Sequence, residues 1–264
     1  MLSAWAVRGP VRRSTSVIER NVSTLRSSYW VVMATGFLEP VLYLFSIGVG
    51  VGQLIGDLPL PDGRVVSYAE FVAPAMLASS AMTGALSETT FNFFGKMKFM
   101  KLYDGILATP VRPMEIAFGE LAWAMIRGSL YAAVFLVVMV VMGLTSIGLA
   151  AVAFLAAVLV GFAFGGTGMA LSTFMRGWQD FDLMASAQFA LFLFSGTFVP
   201  AEAYPSVLRW VVEVTPLYRS VDLIRGITTG AWDRLQLVDV VYLVVLFGVG
   251  LAVASRRMEK LLCE

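Results

Sequence analysis

The chain has 264 residues, of which 58% are hydrophobic and 14% charged, with a mean hydropathy of +0.80 and a net charge of +1. A soluble domain carries about 45–50% apolar and about 25% charged residues, so these values predict a polytopic membrane protein. The absence of histidine excludes histidine-based triads and histidine-ligated zinc or haem. The single cysteine, Cys263, excludes an internal disulfide or a cysteine metal cluster, and we expect a solvent-facing thiol.

Residues 10–29 are predicted to form a basic amphipathic helix. Val11, Ile18 and Val22 fall on one face, and Arg12 and Arg20 lie opposite them. Such a helix suits the headgroup region of a membrane, and it leads directly into an apolar span. Packing against the rest of the bundle is the alternative.

Six apolar segments follow, and each is long enough to cross roughly 30 Å of hydrocarbon as a helix. Their approximate limits are 30–55, 69–93, 116–142, 147–173, 181–199 and 237–255. The connections between them are short, and no soluble domain or internal repeat interrupts them. The expected fold is therefore all-α, a single transmembrane domain over residues 1–264 with six spans. Small residues in the second and fourth spans favour close helix packing.

The distribution of positive charge predicts the orientation, because cytoplasmic connections are rich in lysine and arginine. With the N-terminus in the cytoplasm, both termini lie inside and the inner side holds most of the bases. These are Arg8, Arg12, Arg13, Arg20, Arg26, Lys96, Lys98, Lys101, Arg112, Arg176, Arg256, Arg257 and Lys260. The outer side holds only Arg64, Arg209, Arg219, Arg225 and Arg234.

An acid and a proline, Glu39 and Pro40, lie near the middle of the first span. Proline removes a backbone hydrogen bond and kinks the helix, and a carboxyl group at that depth should face protein or water. The pair is either part of a pathway or hinge, or a neutral glutamic acid that fixes packing.

Three charged side chains lie within the second and third spans. Arg127 is expected to pair with a carboxylate inside the bundle, and both Glu88 and Glu120 are candidates. A structural ion pair is the expected role, and substrate contact is the alternative.

Two connections carry prolines and short amphipathic pieces. In the second connection, the segment KLYDGILAT ends at Pro110 and Pro113, which favours docking onto another protein over an ordinary charged loop. On the outer side, residues 200–236 contain two short helical patterns, the second with Thr215 as N-cap and Pro216 at its first position. Apolar faces on both pieces predict a re-entrant hairpin that covers a pathway.

Glycine-rich segments that look like nucleotide loops do not fit the known patterns. GVGVGQ at 48–53 and GGTG at 165–168 lack the G-x-G-x-x-G spacing and the strand-to-helix context. An intramembrane enzyme is not expected either, because there is no histidine and no clustered acid motif. We therefore expect no catalytic site, metal site or nucleic-acid partner in this chain.

Four segments together resemble the permease subunit of an ABC type-2 transporter. They contain EPVLYLFSIGVGVG (39–52), SYAEFVAPAMLASSAM (67–82), LYDGILATPVRPMEIAFGELAWA (102–124), and FSGTFVPAEAYP followed by TPLYRSVDLIRG (194–226). Their order and spacing are similar to those of nodulation-type lipo-oligosaccharide exporters and of antibiotic (daunorubicin-type) export permeases. The resemblance covers nearly the whole chain, but this chain lacks the large external domain of many drug exporters.

The resemblance implies a role for each segment. Residues 102–113 would be the cytoplasmic coupling helix on a separate ATP-binding subunit, and residues 10–29 the interfacial connecting helix. The coupling residues would be Leu102, Tyr103, Asp104, Ile106, Leu107, Thr109, Pro110 and Arg112. The translocation path would be lined by Glu39, Pro40, Tyr43, Gln188 and Phe192. The external gate would include Gly196, Phe198, Pro200, Pro205 and Pro216.

The implied function is the permease subunit of an ATP-driven exporter in the bacterial plasma membrane. ATP and magnesium would bind the partner subunit, and a second permease copy or a sister permease would complete the path. An apolar path with few charges favours an amphipathic, drug-like or lipid-linked cargo. The main alternative is a proton-coupled secondary transporter that uses Glu39 or Glu88, and a membrane scaffold is a further one.

Overall fold

The computed structural model describes residues 38, 42, 44–59, 63–109, 111 and 113–263, which are mostly helical. The first elements are a π-helical turn (Ser46–Val51), helix α1 (Gly52–Ile55) and strands β1 (Asp57–Pro59) and β2 (Val65–Ser67). Then come α2 (Tyr68–Ser87), π-helical segments at Glu88–Asn92 and Gly95–Phe99, α3 (Leu102–Leu107), α4 (Pro113–Val141) and α5 (Ile147–Ser172). The last are α6 (Gln179–Leu193), a 3-10 turn (Ala201–Ala203), α7 (Ser206–Val214), α8 (Pro216–Thr228) and α9 (Leu235–Cys263). The predicted interfacial helix at 10–29 lies outside the described residues.

Three described helices are long and apolar enough to cross a membrane. They are the segments Met114–Val141, Ile147–Ser172 and Gln236–Lys260, with mean hydropathies of 2.1, 2.6 and 2.5. They correspond to the third, fourth and sixth predicted spans. Helix α5 is apolar all round, which is typical of a membrane span or a buried helix.

The fifth predicted span is shorter than expected. The prediction placed it at 181–199, but α6 ends at Leu193 and has 15 residues. At 1.5 Å per residue it covers roughly 22 Å, less than the hydrocarbon thickness. The helix ends because Gly196 adopts a positive φ of 69° and the Ser195 hydroxyl donates to the Phe192 carbonyl oxygen at 2.9 Å.

The described chain is mostly helical, as an all-α fold predicts, and it also contains one short sheet that was not predicted. Strands β1 and β2 form a two-stranded antiparallel sheet in which Leu58 pairs with Val66. Gly63 adopts a positive φ of 83° in the turn, and the β-branched Val65 and Val66 favour an extended backbone. Strand β2 runs straight into α2, where Ser67 and Glu70 form a reciprocal capping box.

Helix α5 is the centre of the bundle and packs against α2, α4, α8 and α9. Ala153, Val160 and Ala163 on α5 are completely buried. Their short side chains let the neighbouring helices pack close to α5. The tightest approach is to α9, where a Cβ atom added to Gly250 would lie 2.6 Å from the backbone of Gly166. These two glycines therefore let the helix backbones meet directly.

Hydrogen bonds between connections that are distant in sequence define the two ends of the bundle. At one end, Arg64 donates to the Thr229 carbonyl oxygen at 2.8 Å and Thr145 to that of Thr228 at 3.0 Å. We call this the outer end. At the other end, Arg257 donates to the Thr173 carbonyl oxygen at 3.4 Å. We call this the inner end, because it carries the segments predicted to be cytoplasmic.

Candidate functional site

Two ion pairs cross the interior near the inner end. The Arg127 guanidinium on α4 pairs with the Glu88 carboxylate, and it also donates to the Tyr131 hydroxyl at 3.3 Å. Glu120 pairs instead with Lys96, whose amine lies 2.6 Å from the carboxylate. The sequence left both acids open as partners of Arg127, and the structure brings Glu88 to it. The pairs join α4 to the π-helical segments after α2, an irregularity that often marks functional sites.

The predicted coupling segment contains a short helix whose aromatic residue is in the core. Tyr103 on α3 is completely buried, and its ring centroid lies 5.3 Å from that of Phe93. Leu102 and Ile106 are half-buried, whereas Thr109 is exposed. Tyr103 is thus placed to connect the segment to the bundle. Pro110 and Arg112, and the side chains of Asp104 and Leu107, lie outside what the structure describes.

Five aromatic rings form a cluster at the inner end that the sequence reasoning did not identify. Phe99 stacks on Trp178 with ring centroids 5.0 Å apart, and Phe94 lies 5.3 Å from Phe181. Phe91 contacts both Trp178 and Phe181. The cluster joins the second connection to the start of α6. The sequence feature that could have indicated this cluster is the aromatic run FNFFGKMKF (91–99). Its partner Trp178 is about 80 residues away, so no local pattern predicts the contact.

Two predicted path residues lie on α6. Gln188 and Phe192 are half-buried, and no residue of α6 is fully buried. The Phe192 ring packs edge-on against Phe198 at 5.2 Å. A largely apolar helix left this uncovered offers its surface to lipid or to another chain. Glu39, Pro40 and Tyr43 lie outside the described residues.

The predicted gate residues lie at the joints of the outer cap, as we call residues 194–230. Pro200 precedes the 3-10 turn, Pro205 precedes α7, and Pro216 is the first residue of α8. Thr215 caps α8, as its spacing predicted, by accepting from the Tyr218 backbone amide at 3.3 Å. The Phe198 carbonyl oxygen accepts from the Tyr68 hydroxyl at 3.4 Å, which ties the cap to α2.

Arg225 is the main anchor of the outer cap, and its role was not predicted. It donates to the Phe71 carbonyl oxygen at 3.1 Å and to the Gly196 carbonyl oxygen at 2.8 Å. Its guanidinium also lies 3.8 Å from the centre of the Phe71 ring. Burial lowers the pKa of Arg225 to about 10, so it remains a cation at neutral pH. One side chain therefore joins α8, α2 and the loop after α6.

A second charged contact joins the cap to α9. Arg219 on α8 donates to Asp239 at 3.1 Å, and Asp239 is completely buried. On α7, by contrast, Arg209 pairs with Glu213 at 2.6 Å on an exposed surface. Within the described residues no group of three or more acids, histidines or cysteines could hold a metal ion. The Arg219–Asp239 pair therefore connects α8 to α9, whereas the Arg209–Glu213 pair lies within α7.

Comparison with known proteins decides the family. A family model described as ABC-2 type transporter matches residues 15–228. The chain belongs to the ABC-2 type transporter family. Members of this family are membrane subunits of transporters and are generally non-catalytic. Membership and the apolar helices together identify this chain as a multi-pass membrane protein.

Several curated relatives match over most of the ABC-2 chain. Nodulation protein J of Rhizobium leguminosarum bv. trifolii is 31% identical over 261 residues, which are 97% of this chain and 98% of the relative. Nodulation protein J of Rhizobium meliloti strain 1021 is 32% identical over 194 residues, covering 73% and 72%. That of Bradyrhizobium diazoefficiens is 28% identical over 249 residues, covering 92% and 93%.

Proposed function

We propose that this chain is the permease subunit of an ATP-driven exporter that moves an amphipathic, drug-like or lipid-linked cargo out of the cell. The family match over residues 15–228 carries the proposal. ATP and magnesium would bind a separate cytoplasmic subunit, and this chain would supply the path and the moving parts. The apolar composition, with 14% charged residues, favours a cargo that is itself partly apolar.

The proposed topology has six spans in a bacterial plasma membrane, with both termini in the cytoplasm. The charge distribution supports it, because Lys98, Lys101 and Arg176 are exposed at the inner end. In this arrangement the outer cap lies on the far side of the membrane and covers the exit of the path.

Residues 102–113 would be the docking site for the ATP-binding subunit. Gly105, Ala108 and Thr109 are exposed and can contact a partner, while Tyr103 reaches into the core. A displacement of α3 would pass through Tyr103 to Phe93, which lies between the two π-helical segments after α2. The aromatic cluster would carry it from there to α6, because Phe99 and Trp178 are stacked.

The path would run between two permease subunits. The uncovered surface of α6 supports this, since a second copy or a sister permease would cover it. Glu39, Pro40, Tyr43, Gln188 and Phe192 would line the path. Closure of the ATP-binding subunits would move the helices as rigid bodies and open the cap, which is alternating access.

The test is a pull-down of the tagged chain from its native membrane under mild detergent, analysed by mass spectrometry. We expect an ATP-binding subunit with the native chain, and at least a tenfold loss with Ala108→Arg, because an exposed small residue becomes long and charged. Ala203→Arg is the matched control, because Ala203 is also exposed but belongs to the outer cap.

An ATP-binding subunit that never co-purifies would contradict the proposal. The proton-coupled alternative would then be favoured, with Glu39 or Glu88 as carrier. It predicts transport that survives depletion of ATP and stops with an uncoupler. The pairing of Glu88 with Arg127 makes Glu39 the first residue to replace in that case.

A further inference from the structure

Two carboxyl groups face each other between α8 and α9 at the outer end. Asp239 is completely buried, and Arg219 donates to its Oδ1 atom at 3.1 Å. Its Oδ2 atom is also buried and has no conventional hydrogen-bond donor among the described residues. The side chain of the half-buried Asp222 lies within hydrogen-bond reach of Asp239.

The chemistry of this contact requires a proton. Two ionised carboxylates are both acceptors, so neither can donate to the other, and their charges repel. A single proton turns one of them into a donor, satisfies the orphaned Oδ2 atom and leaves one negative charge for Arg219. We propose that Asp222 and Asp239 form a proton-binding site that fastens the outer cap to the last membrane helix.

The surrounding charged groups leave this site short of positive charge. Arg225 attracts Asp222 but is already bound to the Phe71 and Gly196 carbonyl oxygens. Arg219 is therefore the base that directly contacts the pair. The other titratable groups that act on the site or its neighbours lie on the 3-10 turn, α7, α8 and α9, and they are Glu202, Glu213, Tyr218 and Tyr242.

The direction of the pH dependence follows from the environment of Asp222. Burial raises the pKa of Asp222 above its ordinary value, and the neighbouring arginines only partly oppose this. An acid whose pKa is higher in the closed state stabilises that state while it is protonated. The contribution is lost as the pH rises through the raised pKa. The contact between α8 and α9 should therefore weaken toward alkaline pH.

The consequence for transport rests on the proposed function. Arg225 fastens α8 to α2, and the carboxyl pair together with Arg219 fastens it to α9, so loss of the proton would weaken the attachment to α9. A more alkaline exterior would then favour opening of the cap. The proton site itself depends only on the contact between the two acids.

The test measures exposure of α8 in purified protein in detergent, without ATP, cargo or partner. Ser220 is completely buried on α8, so Ser220→Cys in a Cys263→Ser background supplies a thiol that reacts only when the helix separates. The same reporter is placed in an Asp222→Asn background, where the amide can donate to Asp239 at every pH. The ratio of the two labelling rates cancels the intrinsic pH dependence of the thiol.

We expect a ratio near one at about pH 5 and about tenfold higher at about pH 9. Glu213→Gln, which removes a partly exposed carboxylate from α7, should leave the rise intact. A ratio that stays constant with pH would overturn the site. Infrared spectroscopy provides a second readout, because a protonated carboxyl band should be present in the unmodified chain and absent after Asp222→Asn. A band unchanged by that substitution would also overturn it.

These readouts separate the site from the proposed function. If no ATP-binding subunit co-purifies but the labelling ratio rises with pH, the proton site stands and the exporter proposal fails. If the subunit co-purifies and the ratio is constant, the exporter proposal stands and the proton site fails.

Discussion

At the inner end, single charged residues join neighbouring helices through ion pairs. Glu88 and Arg127 are both mostly buried, with side-chain exposures of 14% and 18%. A buried charge that loses its partner keeps its desolvation cost, so breaking such a pair costs more than the pair contributes when intact. Arg225 solves the same problem differently, because backbone carbonyl oxygens and an aromatic ring take the place of a carboxylate.

At this scale we predict that Glu88→Gln lowers the free energy of unfolding by about 1–3 kcal/mol, because Arg127 is left without its counter-charge. The double variant Glu88→Gln/Arg127→Met should recover part of the loss, because no uncompensated charge remains. Thermal unfolding in detergent measures both. Glu213→Gln is the control, because its partner Arg209 is exposed and no measurable change is expected. Equal losses in the single and double variants would contradict the prediction that the unpaired charge of Arg127 causes the loss.

The closest approaches between helices occur at glycine residues. Gly166 and Gly250 bring α5 and α9 into backbone contact, and Gly168 leaves room for Thr89 after α2. Close contact increases van der Waals attraction, which drives helix association in a membrane where apolar burial alone does not. The position of a glycine relative to the neighbouring backbone therefore matters more than the number of glycines.

The prediction at this scale compares two glycines of the same helix, α9. A Cβ atom at Gly250 would lie 2.6 Å from the Gly166 backbone, whereas one at Gly248 would meet nothing within 4 Å. We expect Gly250→Ala to cost about 1–3 kcal/mol of unfolding free energy through overpacking. Gly248→Ala should be neutral or stabilising by up to about 1 kcal/mol, because alanine is the better helix former. Equal thermal stability of the two variants would contradict the close approach.

Considered as a whole, the molecule has two differently built ends. The inner end presents exposed bases and an aromatic cluster, whereas the outer end is closed by a cap that is anchored to α2 and α9. Aromatic and basic residues together are typical of a cytoplasmic membrane interface. This difference fits the proposed function, in which the ATP-binding subunit docks at the inner end and the cap lies on the outer side.

The orientation is tested with the only native thiol. We expect Cys263 to react with a membrane-impermeant thiol reagent only after the cells are permeabilised, because both termini are proposed to be cytoplasmic. An Ala203→Cys/Cys263→Ser variant should react in intact cells, since Ala203 is exposed in the outer cap. Labelling of Cys263 in intact cells would reverse the proposed topology.

Composition and segment order by themselves determined the class of molecule and its family. Long apolar runs favour membrane spans, so α5 was predicted to within one residue at each end and α4 to within three, whereas α9 continues eight residues beyond its predicted end. The cap of α8 was also predicted, because capping depends on neighbours in sequence: Thr215 and Pro216 act within one turn.

Only the tertiary structure decided which partners meet across the chain. Glu88 and Glu120 were equivalent candidates for Arg127 in sequence, because both lie at similar depth and only helix rotation and spacing distinguish them. The same holds for Arg225, whose partners are backbone carbonyl oxygens that every residue possesses. The end of α6 at Leu193 depended on a glycine conformation and on an anchor 29 residues away. Local patterns specify elements, whereas contacts between distant groups depend on packing geometry that no local pattern contains.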